Sequence, residues 1–231
     1  MDMNQRLLQY ENFIKTDKKQ LFDEFYALLT EYNAKYNLTA ITEEKDVFYK
    51  HFLDSVAGEF LFNENASVLE VGSGAGFPSI PLKIVRPDLK FTLIESVGKK
   101  CEFLKVVVDK FGWKDMHIYN LRAEDAAKDK NFREKFDNVT ARAVARMNTL
   151  SEYCMPFVKK GGAFIAYKSG DITEIDEAES AYKILGGKKE KVFAYELPED
   201  YGARTLAVIR KIKETPVKYP RGQGKERKNP L

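Results

Sequence analysis

Cysteine and histidine are scarce in this 231-residue chain, with two of each. Cys101 and Cys154 lie far apart and neither has a histidine beside it. That spacing suits neither a zinc-ligand set nor a disulfide framework, and it predicts two buried thiols in a reducing cytoplasm. Two histidines are too few for an ordinary metal site, so no metal is expected. No apolar run approaches the roughly 18 residues of a membrane span. The first residues, MDMNQRLLQYENF, carry neither a basic segment nor an apolar one, so no secretory signal is expected. Internal repeats and low-complexity linkers are also missing.

The composition is that of a folded protein: 44% hydrophobic, 13% aromatic and 32% charged residues. The net charge of +3 is unevenly spread. From Ile209 onward eight Lys/Arg face two acids, a +6 tail on a −3 body. A basic tail of this kind suits a polyanionic partner, although a solvated terminus would look the same.

The hydrophobic rhythm changes once. Leu21, Phe22, Phe25, Leu28, Leu29, Tyr32 and Tyr36 repeat at helical spacing, and Val47, Phe48, Phe52, Val56, Phe60 and Leu61 do so again. From Ser67 short β-rich runs (SVLEV, FTLIE, MHIYNL, FDNVTARAV, GGAFIAY) alternate with helical stretches, the last of them NTLSEYCMPFVKK. This alternation predicts a parallel sheet with helices on both faces. KKEKVFAYELP and ARTLAVIRKI follow without a helix between them and should form an antiparallel hairpin on the sheet edge. The expected organisation is a helical cap (1–64), an α/β core (65–214) and a basic tail (215–231) within one compact domain. The last fifteen residues, rich in Pro and Gly, should form no helix or strand unless bound.

The core opens with Val68-Leu69-Glu70-Val71-Gly72-Ser73-Gly74-Ala75-Gly76-Phe77-Pro78. A phosphate-binding P-loop would need Lys-Ser or Lys-Thr at a spacing that does not occur here. A dinucleotide fingerprint would need glycine where Phe77 stands. The pattern E-x-G-x-G-x-G resembles the first motif of class I S-adenosyl-L-methionine-dependent methyltransferases. An acid two residues before the first glycine suits the ammonium of a zwitterionic donor. Glu95, closing the second strand, stands near the offset at which an acid meets ribose hydroxyls. Leu121-Arg122-Ala123-Glu124-Asp125 falls where an adenine ring would be read by a backbone N–H and an acid.

The fourth strand ends in Thr140-Ala141-Arg142-Ala143-Val144-Ala145-Arg146, which offers an arginine fork but no base. No [DNS]-P-P-[YFW] tetrapeptide is present, and Cys154 lies on an apolar helix face, so neither amino methylation nor cysteine attack is indicated. Together with Tyr36-Asn37-Leu38-Thr39-Ala40-Ile41, His51-Phe52-Leu53-Asp54-Ser55 and Thr215-Pro216-Val217-Lys218-Tyr219-Pro220-Arg221, these segments resemble the bacterial 16S rRNA guanine-N7 methyltransferases, first named glucose-inhibited division protein B. The chain departs from that family at Ser79, where glycine is usual.

The resemblance implies a seven-stranded, mostly parallel Rossmann-like sheet with an antiparallel last strand and an N-terminal helical cap. It also implies an enzyme of the cytoplasm that uses S-adenosyl-L-methionine and releases S-adenosyl-L-homocysteine. Its partner would be 16S rRNA, the small ribosomal subunit or an assembly intermediate, and it would act as a monomer without a membrane. Cofactor contacts are expected from Gly72, Gly74, Gly76, Phe77, Glu95, Ala123, Glu124 and Arg142. Arg142 would position substrate or donor, since guanine N7 has a free lone pair and no proton to remove. RNA contacts are expected from Arg146, Lys168, Arg204, Lys218 and Arg221, and removing the tail should weaken RNA binding while sparing the cofactor. His51, Asp54 and Ser55 share one helix face, either as a cluster tying the cap to the sheet or as groups beside the cleft. The alternative from another class is a nucleotide- or RNA-binding regulator with an NAD(H)-type ligand and no transferase activity.

Overall fold

The computed structural model describes residues 2–231. Helices α1 (Met3–Lys15) and α2 (Lys19–Tyr36) bury the predicted stripe, with Phe22, Phe25 and Leu29 inward. Asn37 ends α2 in the left-handed conformation (φ 50°), where asparagine is more at ease than most residues. The next helical run changes pitch. It begins as α3 (Glu44–Val47), widens to a π-helix over Phe48–Leu53 and closes as α4 (Asp54–Val56). His51 lies inside the π-helical turn.

The α/β part follows in the predicted alternation: β1 (Ser67–Val71), α5 (Ser79–Val85), β2 (Lys90–Glu95), α6 (Gly98–Phe111), β3 (Met116–Asn120), α7 (Ala123–Ala126), β4 (Phe136–Arg142), α8 (Met147–Cys154) and β5 (Val158–Ser169). Then come α9 (Thr173–Glu177), α10 (Glu179–Ile184), β6 (Gly187–Glu196), β7 (Ala203–Lys211) and α11 (Lys225–Lys228). The sheet order is β3-β2-β1-β4-β5-β7-β6. Strands β1 to β5 pair in parallel, and β7 is antiparallel to both β5 and β6. The expected hairpin is therefore present, with its second strand as the inner one. Strand order reverses between β1 and β4, and in open α/β sheets the crevice at the carboxyl ends of such a pair takes the ligand.

Each sheet face carries its own core. Val68, Phe91 and Leu93 pack with Phe25, Phe52 and Phe103 on one face, while Leu69, Val71 and Val139 pack with Leu150, Tyr182 and Tyr219 on the other. The N-terminal helices share the first core with β1 and β2. Both cysteines are buried and free, as expected. No helix among the described residues is long and apolar enough to cross a membrane.

Two expectations need correction. The helix predicted to run through Lys160 stops at Cys154, because Pro156 sits in a 3-10 turn (Met155–Phe157) and β5 begins at Val158. The tail is neither unstructured nor free. Arg133 donates to the carbonyls of Thr215 (2.8 Å) and Tyr219 (3.0 Å), Arg221 pairs with the fully buried Glu152 of α8, and the chain ends in a turn of helix, α11. One of its cations, Arg221, finds a buried acceptor, which no local pattern in the tail announces.

Candidate active site

The glycine loop leaves β1 with Gly72, Gly74 and Gly76 all at positive φ (69°, 56° and 88°). At two of them a side chain would also collide: a Cβ on Gly72 would come within 2.9 Å of Val144, and one on Gly76 would overlap Ile80. The loop amides are engaged internally. Gly72 N–H donates to Ile94 O (2.8 Å), Gly74 N–H to Glu95 Oε2 (2.9 Å) and Gly76 N–H to Ser73 O (2.7 Å). A phosphate nest would aim such amides outward at an anion. This loop is shaped for close packing.

Two acids lie beneath it. Glu95 accepts from Gly74 N–H on one oxygen and from Val97 N–H (2.8 Å) on the other. Glu70 is fully buried, and its Oε2 accepts from Ser79 N–H at 3.2 Å. Its Oε1 has no partner, and neither have the buried hydroxyls of Ser73 and Ser79. Burial pushes the Glu70 carboxyl up to about 8. Orphaned buried oxygens of this kind are what a donor's ammonium or a bound water would satisfy, so the residues present fit such a group.

Beside the loop lies a cleft of about 400 Å³, within the usual range for small-ligand sites. Gly72, Ile94 and Ser96 form one side, and Leu121, Ala123 and Glu124 continue it. As the first residues of α7, Ala123 and Glu124 have amides without an acceptor inside the helix. Val144, Tyr153, Gly224 and Arg227 complete the lining.

At the carboxyl end of β4, Arg142 is followed by Ala143 in left-handed backbone (φ 55°) and then by Val144. The turn sends Val144 into the first cleft and Arg142 into a second one of about 300 Å³. The guanidinium donates to Asp54 Oδ2 (2.8 Å), Lys50 O (3.1 Å) and His51 Nδ1 (2.6 Å). Because arginine only donates, His51 Nδ1 accepts, which leaves the ring proton on Nε2, 3.0 Å from Thr39 Oγ1. Burial, and then the Arg142 charge, lowers the His51 pKa to about 3, so the imidazole is neutral. Phe77 lies against the same group, stacked on His51 (centroids 4.4 Å apart) with the Arg142 guanidinium 5.2 Å from its ring. Tyr195 holds the other Asp54 oxygen at 2.8 Å.

Of the predicted cofactor residues, Gly72, Ala123 and Glu124 line the first cleft. Gly74, Gly76 and Glu95 shape the loop beside it, Arg142 belongs to the second cleft, and Phe77 lines neither but packs on His51 and Arg142. Lys168 and Arg204 join Arg142 there. Lys168 pairs with Glu174 (3.0 Å), and Arg204 stands 3.8 Å from Asp54. Arg146 is exposed in a neighbouring groove and pairs with Glu177 at 2.8 Å. Lys218 is exposed on the tail, away from both clefts. Arg221 has a structural partner that its expected RNA contact did not include: its guanidinium grips Glu152 through Nε (2.9 Å) and Nη2 (2.7 Å), so it fastens the tail. His51, Asp54 and Ser55 tie the cap to the sheet, and His51 and Asp54 line the second cleft, whereas none of the three lines the cleft beside the glycine loop. Tyr153, Gly224 and Arg227 escaped the sequence reading. Only the glycines around Arg221–Lys228 hinted at a turn there.

Comparison with known proteins agrees with this architecture. The family model GidB, rRNA small subunit methyltransferase G, matches residues 18–200. A protein of Lactobacillus acidophilus named ribosomal RNA small subunit methyltransferase G is 49% identical over 97% of this chain and 96% of its own. Its namesake in Brevibacillus brevis is 49% identical over 94% and 92%. Among solved structures, M. jannaschii TYW2 in complex with AdoMet superposes with a TM-score of 0.55 at 17% identity, covering 69% of this chain and 75% of that one. Aeropyrum pernix fibrillarin with natively bound S-adenosyl-L-methionine gives 0.50 at 15% identity, covering 64% and 67%. The shared fold is that of the class I AdoMet-dependent methyltransferases.

Proposed function

The chain belongs to the rRNA small subunit methyltransferase G family, and from that premise we propose that it methylates N7 of a guanine in 16S rRNA with S-adenosyl-L-methionine as donor. The observation that carries the reading is the partition at the end of β4. Arg142, Ala143 and Val144 separate a small-ligand cleft of mixed charge, bordered by Arg122, Glu124 and Arg227, from one lined by Lys50, Arg142, Lys168 and Arg204 against the single carboxylate of Asp54. Two ligands that meet at the edge of this partition, the methyl group of one against the ring nitrogen of the other, can be brought into line, and alignment with exclusion of water supplies much of the catalysis for such a transfer.

Bound S-adenosyl-L-methionine supplies an electrophilic methyl group on a sulfonium. Gly72, Ala123 and Glu124 would hold the nucleoside end, with Glu70 and the glycine loop at the amino-acid end. On the other side Arg142 uses three of its five N–H groups on Asp54, Lys50 and His51, which leaves two for an acceptor such as guanine O6. No residue at the partition is poised as a base. His51 has its Nδ1 lone pair committed to Arg142, and N7 needs no deprotonation. The target guanine should be unpaired or flipped out, because the A-form major groove is closed to side chains. A 16S rRNA substrate supports a cytoplasmic site of action. An NAD(H)-binding regulator is disfavoured by the inward-bonded loop amides, which offer a pyrophosphate no nest.

The test is transfer of radiolabelled methyl to small-subunit particles from a strain lacking this gene, with borohydride–aniline cleavage of the 16S rRNA. A new cleavage site that appears only with enzyme and donor is expected. Labelled particles without aniline-sensitive cleavage would move the methyl to another atom, and unlabelled particles would end the reading.

A further inference from the structure

We propose that the C-terminal tail is the outer wall of the cofactor cleft, and that Arg227 is a cofactor-binding residue at its adenine end, facing Ala123 and Glu124. The inference rests on the reading that the donor occupies the 400 Å³ cleft. It assigns a binding role to a segment expected to touch only RNA.

The tail is led to the cleft by a chain of buried contacts. Thr215 N–H donates to Glu134 Oε1 (2.7 Å) and its hydroxyl to Leu185 O (2.7 Å). Tyr219 is buried in the second core. Arg221 is bound by Glu152, whose side chain is fully buried. Gly222, Gln223 and Gly224 all take left-handed backbone (φ 75°, 59° and 72°), which turns the chain back on itself. Glu226, also fully buried, then accepts from Gly222 N–H, and its carbonyl accepts from Thr149 of α8 at 2.8 Å. The result brings Gly224 and Arg227 to the cleft that Ala123 and Glu124 of α7 also line.

The two arginines of this segment differ. Arg221 is spent on the fold. Arg227 is exposed and, among the described residues, has no carboxylate within ion-pair distance. A planar guanidinium at a cleft mouth can stack on a purine face or donate to its ring nitrogens. Glu124, which lines the same cleft, can accept from the exocyclic amine. Arg227 also borders the groove that holds Arg146, so contact with an RNA phosphate is the competing assignment.

S-Adenosyl-L-homocysteine is the probe, with binding measured by calorimetry on the full chain and on R227L, and melting measured without ligand. R227L should bind about tenfold more weakly while its ligand-free melting point stays at the wild-type value. Hydrogen exchange should show the amides of residues 222–228 protected by the probe in wild type. Unchanged affinity in R227L together with unprotected tail amides would overturn the proposal, and loss of RNA affinity alone would assign Arg227 to phosphate. If R227L melts lower, the exchange result on the wild-type chain decides. Wild-type protein that binds no probe at all removes the cofactor reading itself, and the proposal with it.

Discussion

Arg142 sits where three kinds of group converge: the carboxylate of Asp54, the imidazole of His51 and the ring face of Phe77. Arg142 and Asp54 are largely removed from solvent, with side-chain exposures of 13% and 6%. Removing one partner of such a pair strands the other charge. Arg142→Ala should therefore cost about 3–5 kcal/mol of unfolding free energy, measured by urea titration. Arg142→Lys keeps the charge but not the fork. It should lose less stability and still lose most of the methyl transfer in a single-turnover assay. His51 sets the acid limb of stability. Its pKa falls from 6.5 in the unfolded chain to about 3 in the fold, so between those values the unfolded state binds the extra proton. The contribution is complete above pH 6.5 and drains away as pH falls toward 3. Between pH 7 and pH 5 it amounts to about 2 kcal/mol. The stability difference between wild type and His51→Gln should shrink by that amount over the same interval, and a constant difference would show that the imidazole titrates normally.

Elements place these residues, and the glycine loop between β1 and α5 is the most constrained of them. Gly76 combines φ of 88° with a Cβ position that overlaps Ile80. Gly76→Ala should lose about 1–3 kcal/mol from backbone strain alone. Trimming Ile80 to Val should restore part of the loss beyond that strain, as a double-mutant cycle would read. Much at this scale was legible in the sequence. SVLEV and FTLIE declare β1 and β2 because apolar, β-branched runs end at turn residues, and the α2 stripe follows from 3.6-residue spacing. Gly72, Ala123 and Glu124 could be placed for the same reason, since local chain geometry brings strand ends together. What stayed hidden depends on distant partners. The tail is held by Glu152 and Arg133, 69 and 82 residues away in sequence. The π-helical turn around His51 has no signature in the residues themselves, and α9 and α10 are too short and too charged for a convincing period.

Across the whole molecule the two cores divide the labour. One fastens the N-terminal helices to the sheet, and the other fastens α8 and the tail. The cationic groups line up along one edge, from Arg204 and Lys168 to Arg146. If they meet phosphates, replacing Lys168 or Arg204 by alanine should lower the slope of log affinity against log salt by about 1 each, with cofactor affinity unchanged. A slope that does not move would make them structural charges.

The excess of cations in the second cleft also bears on how a reaction cycle ends. Before transfer a neutral purine enters on a polyanionic strand. After transfer the purine itself is positively charged, while the spent donor is left with an uncharged sulfur. Two like charges about 4 Å apart repel by roughly 1–4 kcal/mol, depending on how much water reaches them. The field that draws the strand in thus turns against the altered base, and the enzyme is spared holding its own product.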